Sequence, residues 1–332
     1  MNNAVLNALS DQVLAAIRVR PGRFFPVEHL AKKFRCQKSD IVFVIDLLRQ
    51  TGYDIRADRT GGYAFLSSPD LLLAAEIAHG LKTSFVGKTI YAYKSVQSTN
   101  GVAAQLAEVK APDGSIVVAE SQSHGRGRLG RIWFSKDQAG IYLSIILYPD
   151  IDPVKAPGLS VLTALALADT IAEYDALEVQ IKWPNDCLVN GRKVAGILTE
   201  LSAEVGRVHY VVIGVGINVN HHRRDFPPDI ASTATSLRVE FKELIRRVEL
   251  LQKFLVAFEK DYRRFLKGGL APLRKRIIRY SFLLGKKVSL DQRGKTVVGT
   301  AVDIDDNGNL VLDTPEGLRP FNAGEVTVIK KH

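Results

Sequence analysis

Gly125-Arg126-Gly127-Arg128-Leu129-Gly130-Arg131-Ile132-Trp133 sets three glycines and three arginines in alternation ahead of an aromatic residue. Glycines at this density let a backbone approach a ligand closely and present its N–H groups. Interleaved arginines make a poor core and a good anion site. The spacing is not that of a dinucleotide-binding fingerprint, and the run leads into a strand-like segment. No Gly-Lys-Ser/Thr follows, so it is not a Walker loop either. As a bare pattern it fits a basic surface loop equally well, and its neighbours must decide.

Around this run, residues 82–275 alternate strands and helices. Strands are predicted at Thr89–Tyr93, Ser115–Glu120, Ile141–Tyr148, Val179–Trp183, Val194–Leu201 and His209–Gly216, with Asn190-Gly191 as a hairpin turn. Helices are predicted at Gly158–Tyr174 and Phe241–Leu266. Hairpins mixed with helices point to an α+β mixed sheet, not a doubly wound one. Chemistry-bearing clusters sit at element ends. Ser98-Thr99-Asn100 opens a helix, and Lys182-Trp183-Pro184-Asn185-Asp186 ends a strand. Arg192-Lys193-Val194-Ala195-Gly196 starts the next strand. Gly214-Val215-Gly216-Ile217-Asn218 closes an apolar strand, its glycines clearing space for a ligand. Taken singly, Ser98-Thr99-Asn100 is more often a cap and Asn218 more often a turn residue.

Residues 1–68 read as a winged helix-turn-helix. Leu6, Leu9, Val13 and Ile17 are spaced as one helix face that stops before Pro21-Gly22. Short helices follow at Val27–Phe34 and Ser39–Gln50, the latter with Ile41, Val44, Ile45 and Leu48 inward. Tyr53–Arg56 and Tyr63–Leu66 flank a turn at Gly61-Gly62. Ser68-Pro69 reads as an N-cap followed by proline, predicting a connecting helix over 69–81. Residues 276–332 carry short strands at Lys287–Leu290, Val297–Asp303, Leu310–Asp313 and Val326–Lys330, a β-barrel of SH3-like size.

Composition is that of an ordinary globular chain: 332 residues, 46% hydrophobic and 24% charged. No apolar run reaches membrane-spanning length and no secretion signal opens the chain, so a cytoplasmic protein without a membrane partner is expected. Cys36 and Cys187 are the two cysteines, too few and too far apart for a disulfide scaffold or a zinc site. The net charge of +10 invites a nucleic-acid reading. Residues 1–68, however, hold ten basic against six acidic residues, whereas residues 260–287 hold ten basic residues and only Asp261 opposite. That second stretch is a solvated basic helix face or a field steering an acidic protein.

In combination and order, Gly-Arg-Gly-Arg-x-Gly-Arg-x-Trp, Lys-Trp-Pro-Asn-Asp and Gly-x-Gly-x-Asn closely resemble the motifs of biotin protein ligases, and the resemblance covers nearly the whole chain. It implies a central catalytic domain of the biotin/lipoate ligase, class II synthetase-like type, over 82–275. It also implies biotin and ATP as substrates, Mg²⁺, and a biotin carboxyl carrier domain as lysine acceptor. By the same resemblance Ser98, Thr99 and Asn100 line the biotin pocket. Gln122, Arg126, Gly127 and Arg128 hold the valerate chain and carboxylate, and Lys193 contacts the reacting carboxyl–phosphate region. Trp133 packs on adenine. Arg131, Lys182, Asn185 and Asn218 serve the nucleotide, and Asp186 the metal. Arg128 and Lys193 are the catalytic cations. Cys187 and His124 are read as incidental, and His221-His222-Arg223-Arg224 as a mobile lid.

Winged-helix members of that family often repress biotin-synthesis genes as homodimers, which implies operator DNA as a partner. Lys38, Ser39, Arg56 and Arg59 are the candidate DNA contacts. Against them stand Asp40, Val42, Phe43, Asp46 and Leu47 on the outward face of the third helix, which suit phosphate poorly. Two rivals remain. A biotin sensor without ligase activity would not need Arg128 and Lys193. A lipoate ligase or octanoyl transferase would not be expected to carry the arginine loop.

Overall fold

A computed structural model describes residues 3–174, 178–292 and 294–329. The chain divides into two compact units, Met1–Leu71 and Leu72–His332. In the first, α1 (Asn3–Arg18) precedes β1 (Phe25–Pro26), α2 (Val27–Phe34), α3 (Lys38–Gln50), β2 (Asp54–Ala57) and β3 (Gly62–Ser67). The apolar spacing translates directly into burial. Leu9, Val13, Leu14 and Ile17 of α1 meet Leu30 of α2 and Ile41, Val44, Ile45 and Leu48 of α3. Asp40 closes the α3 N-terminus by accepting from Gln37 N at 2.9 Å. Asp58 nucleates the β2–β3 turn, accepting from Thr60 N and Gly62 N.

The second unit opens with α4 (Ala74–Ala78), five residues long. The connecting helix predicted for 69–81 therefore does not form as such. Ser68 Oγ is taken by the Arg18 guanidinium at 3.0 Å, and Leu72 N donates to Glu120 Oε1 at 2.6 Å, so the backbone stays extended through Leu73. There follow β4 (Ile90–Val96), α5 (Thr99–Glu108), β5 (Ile116–Gln122), β6 (Gly140–Leu147), α6 (Ala156–Ala172), β7 (Val179–Lys182), β8 (Asp186–Val189), β9 (Arg192–Glu204) and β10 (Arg207–Asn218). These strands form one mixed sheet in the order β4-β5-β6-β10-β9-β8-β7, with β4 and β5 parallel and every other pair antiparallel. All eight residues of β6 are buried, as befits a strand covered on both faces. Ala103 and Ala107 of α5 pack with Val117, Ile146 and Val212. The larger core gathers α6 and the helices that follow.

Those helices are α7 (Leu237–Phe241), α8 (Arg247–Gly268) and α9 (Arg274–Tyr280). The single helix predicted over Phe241–Leu266 is broken, because Lys242 turns left-handed at φ 67° and ends α7. Residues Pro153–Ala172 are long and apolar enough to cross a membrane, contrary to the sequence reading, but they lie in the core and α6 is buried along nearly its whole length.

A five-stranded antiparallel sheet ends the chain: β11 (Lys287–Gln292), β12 (Lys295–Ile304), β13 (Leu310–Thr314), β14 (Gly317–Phe321) and β15 (Glu325–Val328), ordered β14-β13-β12-β11-β15. The end of the predicted last strand, Lys330, lies outside the described residues. This sheet is joined to the larger one through Trp183, whose buried indole N–H donates to Gly308 O at 2.8 Å.

Candidate active site

The arginine run folds back on itself. Trp133 N donates to Gly125 O at 2.8 Å, Gly127 N to Arg131 O at 2.7 Å, and Arg126 bridges Ile132. A side chain at Gly125 would meet Trp133 O at 2.5 Å, so that glycine is required by the hairpin itself. At its tip Leu129 adopts φ 56°, and Leu129 and Ile132 expose 73% and 84% of their surface. The loop thus presents apolar tips outward and arginines along its flanks.

Two cavities adjoin it. One, of about 50 Å³, is bounded by Ser98, Thr99, Asn100, Gln122, Arg126 and Gly127 on one side and by Gly196–Leu198 and Gly214–Gly216 on the other. The second, of about 650 Å³, takes in Arg131, Lys182, Asp186 and Asn218, together with Phe282 and Gly324–Thr327 from the C-terminal part. Gly127, Arg128, Trp133, Asn185 and Lys193 border both. Trp133 forms the partition, its indole lying on the cross-strand pair Gly196 and Gly216. A Cβ there would come within 2.9 Å and 2.4 Å of the ring.

Around the smaller cavity the polar groups hold one another. Thr99 N donates to Gln122 Oε1 at 2.8 Å, and Gln122 Nε2 to Ser135 Oγ at 3.0 Å. Ser144 Oγ reaches Thr99 Oγ1 at 2.9 Å and Asn100 Oδ1 at 2.5 Å. Asn100 Nδ2 donates to Glu200 Oε2 at 2.7 Å and to Leu198 O at 3.3 Å. Asn100 is therefore a buried post between α5 and the sheet. Gly214 makes room for that amide, since a Cβ would lie 2.2 Å from Asn100 Oδ1. The clearance at Gly214 and Gly216 accommodates Asn100 and Trp133 directly, a difference from the expectation that these glycines clear space for a ligand. Arg126 pairs with Glu200 at 3.5 Å.

At the junction Arg128 Nη1 donates to Asn185 Oδ1 at 2.9 Å. Burial pulls the Arg128 pKa below its ordinary value, with Asp186 and Glu325 opposing. Lys193 Nζ stands 2.8 Å from Asp186 Oδ1 and 5.5 Å from the Trp133 ring centre. That carboxylate oxygen is buried and has the ion pair but no hydrogen-bond geometry. Asn218 Nδ2 donates to Thr235 O at 3.0 Å. Lys182 stands opposite Asp186 in the β7–β8 ladder. Arg131 places its guanidinium on Glu325 of β15, near enough to Arg128 to oppose its charge.

The segment after Asn218 is anchored, which overturns the mobile-lid reading. His221 is buried, stacked on Phe226 at 5.4 Å and 3.4 Å from Tyr142 Oη. Burial lowers its pKa to about 4. Asp225 pairs with Lys136 at 2.5 Å and accepts from His222 N at 2.8 Å. Cys187 is fully buried, which pushes its thiol pKa up, and its Sγ faces Ala164 O at 3.5 Å. Sequence reasoning missed Ser144, Ser135 and Glu200. Ser144 carried a readable signal, a lone hydroxyl amid the apolar run Ile141–Leu147, where a buried polar group must find partners.

In the first unit, Lys38 pairs with Glu28 at 2.6 Å and the Ser39 hydroxyl donates to Gln37 at 3.4 Å. Arg56 and Arg59 are exposed on the β2–β3 hairpin. Val42 and Phe43 of α3 are exposed at 38% and 57%.

Residues 92–218 match the biotin/lipoate A/B protein ligase family, and residues 283–328 match the biotin protein ligase C-terminal domain. The bifunctional ligase/repressor BirA of Bacillus subtilis is 38% identical over 91% of this chain and 93% of its own length. The biotin–[acetyl-CoA-carboxylase] ligase of Mycobacterium tuberculosis is 36% identical over 66% of this chain and 80% of that protein. Among solved structures, the biotin protein ligase of Aquifex aeolicus in complex with biotin and ATP superposes with a TM-score of 0.63 at 29% identity, covering 74% of this chain and all of that one. With the motif order, the sheet that carries it and near full-length similarity agreeing, the chain belongs to the biotin protein ligase family.

Proposed function

We propose that this protein activates biotin with ATP to biotinyl-5′-adenylate and transfers the biotinyl group to a lysine of a biotin carboxyl carrier domain, as on acetyl-CoA carboxylase. One observation carries the reading. Two cavities of unequal size share a wall of two cations, Arg128 and Lys193, at the point where two substrates would meet. The smaller has a polar lining that matches the ureido ring and valerate chain, with Ser98, Thr99, Gln122 and the Arg126–Gly127 backbone around it, and must widen to admit them. The larger suits the nucleotide, with Trp133 against adenine and Lys182, Asn185 and Asn218 toward the phosphates.

Attack of the biotin carboxylate on the α-phosphate joins two anions, so the barrier is largely electrostatic. Cations fixed before reaction stabilise the charge that develops, with little reorganisation. Arg128 is fixed by Asn185 and Lys193 by Asp186, which is the preorganisation required. Pyrophosphate leaves, and the mixed anhydride is then attacked at its acyl carbon by the carrier lysine, releasing AMP. No nucleophile of this chain enters either step. ATP arrives as its magnesium complex. A single carboxylate, Asp186, whose buried oxygen lacks a hydrogen bond, beside the Asn185 amide, fits an ion held chiefly by phosphates. Among the described residues no group of three or more His, Cys, Asp and Glu is arranged to hold a metal on its own. Arg131, directed to Glu325, serves the nucleotide only if that pair opens. On closing over the anhydride, the loop's apolar tip, outward in the free protein, would exclude water from it.

The test is to incubate the protein with biotin, MgATP and a purified carrier domain and follow carrier mass, with Arg128→Ala in parallel. A gain of one biotinyl group, largely lost in the variant, supports the reading. Biotin binding without transfer reduces the chain to a sensor, and lipoate transfer makes it a lipoate ligase.

A second reading concerns the first unit, taken as a winged helix-turn-helix, with the C-terminal sheet taken as SH3-like. We propose that a homodimer carrying biotinyl-adenylate binds operator DNA, with Arg56 and Arg59 on the backbone and Lys38 and Ser39 at the start of α3. The exposed arginines of the hairpin favour it. Mobility-shift titration of upstream DNA from biotin-synthesis genes, with and without biotin and ATP, tests it. Binding indifferent to biotin would remove the corepressor role. The protein's expected workplace is the cytoplasm.

A further inference from the structure

Glu240 on α7 lies outside both cavities, yet its carboxylate is 6% exposed and collects three partners from two other segments. Arg192 Nη2 donates to its Oε1 at 2.5 Å, Asn190 Nδ2 to its Oε2 at 2.8 Å, and the Thr235 hydroxyl also donates to Oε1. Arg192 and Asn190 belong to the β8–β9 turn. Thr235 ends the segment that follows β10. Glu240 therefore ties together the two stretches that flank Lys193 and Asn218.

The backbone makes the tie consequential. Lys193 N donates to Thr233 O at 2.8 Å, and Thr235 N donates back to Lys193 O at 2.9 Å, so residues 233–235 clamp Lys193 from both sides. Thr235 O is also the acceptor that holds the Asn218 amide. The same short helix is fixed at its other end. Ser236 Oγ accepts from Val239 N at 3.1 Å and donates to His221 O at 2.7 Å, and Arg238 N reaches Val219 O at 2.8 Å. A five-residue helix is too short to be stable alone; here it is a staple across the 219–236 segment, and Glu240 is its polar pin.

We propose that Glu240 is a positioning residue for the adenylation step, acting through Thr235 and Arg192 to hold the backbone of Lys193 and the amide of Asn218 in register with the phosphates. The inference rests on the ligase reading above and adds a residue that touches neither substrate. Loss of the carboxylate frees Thr235 and loosens a cation whose placement sets the barrier. Misplacing a reacting constellation by about an ångström is worth up to about a hundredfold in rate, so a partial loosening gives a loss near tenfold.

The experiment uses the full chain with Glu240→Gln, Thr235→Val and the double variant. Biotin- and ATP-dependent pyrophosphate release gives kcat and KM. Biotin affinity without ATP is measured by calorimetry, and hydrogen–deuterium exchange reports the Lys193 and Thr235 amides. The expected result has three parts. Adenylation kcat falls about tenfold, biotin affinity stays within about twofold, and the double variant is no worse than the worse single one, because both cut one path. Protection at the two amides falls in step. Unchanged kcat with unchanged protection overturns the proposal. So does a parallel loss of kcat, biotin affinity and melting temperature, which marks a merely structural residue. If the wild type itself releases no pyrophosphate, the ligase reading fails and the catalytic role falls with it; loss of amide protection in Glu240→Gln would then leave the clamp geometry standing by itself.

Discussion

At the residue scale the site depends on a few groups with no spare freedom. Arg128 is half-buried, donates to Asn185 and borders both cavities, so Arg128→Ala should lower pyrophosphate release about 10²- to 10³-fold, the usual cost of one preorganised charge donor. Gly216 tests the partition. An added methyl would lie 2.4 Å from the Trp133 ring, so Gly216→Ala should expel the indole and abolish tight biotin binding. The chain has two tryptophans, and Trp183→Phe as background isolates Trp133 emission, which should shift to the red in the Gly216→Ala variant. His221 offers a pH test. Its folded pKa is depressed to about 4 from 6.5, so between those values the unfolded chain binds the extra proton. The stability it contributes is full above pH 6.5 and is lost as pH falls toward 4. His221→Phe, which keeps the stack on Phe226, should flatten that part of a melting-temperature profile. Residue types were legible in the sequence where chemistry demands them, as in the arginine run and Lys193. Their hydrogen-bond partners were not, because Ser144, Glu200 and Glu240 meet their targets only through sheet register and chain return.

At the element scale, periodicity located helices where one face is buried, as α1 and α3 illustrate, and β6, buried on both faces, was read from its continuous apolar run. It failed where a tertiary contact outranked the local pattern. Ser68-Pro69 has the chemistry of a helix start, but the Ser68 hydroxyl is engaged by Arg18 and the helix waits until Ala74. The run through Phe241 is apolar enough to continue, yet Lys242 adopts the left-handed region and Arg247, where α8 begins, is drawn into the core by Glu120 at 2.6 Å. Strand β14 is exposed at four of its five positions and contains Pro320, so it carries no alternation to read. Trp183 was read as part of a site motif, but its N–H is spent on Gly308 O, and Gly308 lies so close to α6 that a Cβ would touch Gly158 at 2.8 Å. Trp183→Phe leaves that buried carbonyl without its donor and should cost about 1–3 kcal/mol in urea-denaturation free energy. The accompanying loss of adenylation should be small if the sheet stays docked.

For the whole molecule, the charge distribution separates two functions that net charge alone confounds. The densest basic stretch, residues 260–287, is partly neutralised by its own fold. Arg276 bridges Asp169 and Asp261, Arg274 pairs with Asp303, and Arg263 and Arg264 turn to Glu259 and Asp261. The excess of that stretch is thus partly offset by Asp169, Glu259 and Asp303, and it lies in the ligase unit, so the net charge argues little for nucleic acid. The first unit has the smaller excess, but Arg56 and Arg59 carry theirs on exposed hairpin positions, where phosphate would meet them. DNA affinity that depends on such contacts falls with salt through counterion release, with a log–log slope of about −0.9 per neutralised phosphate. Arg56→Ala and Arg59→Ala should each flatten the slope measured on operator DNA by about one, weakening all sequences alike. Carrier biotinylation should be unmoved in both variants, because neither arginine belongs to the unit that holds the two cavities. An unchanged slope in both would assign the hairpin no phosphate contact. With Val42 and Phe43 exposed where α3 would have to read bases, the first unit would then be left with protein contacts as its remaining use.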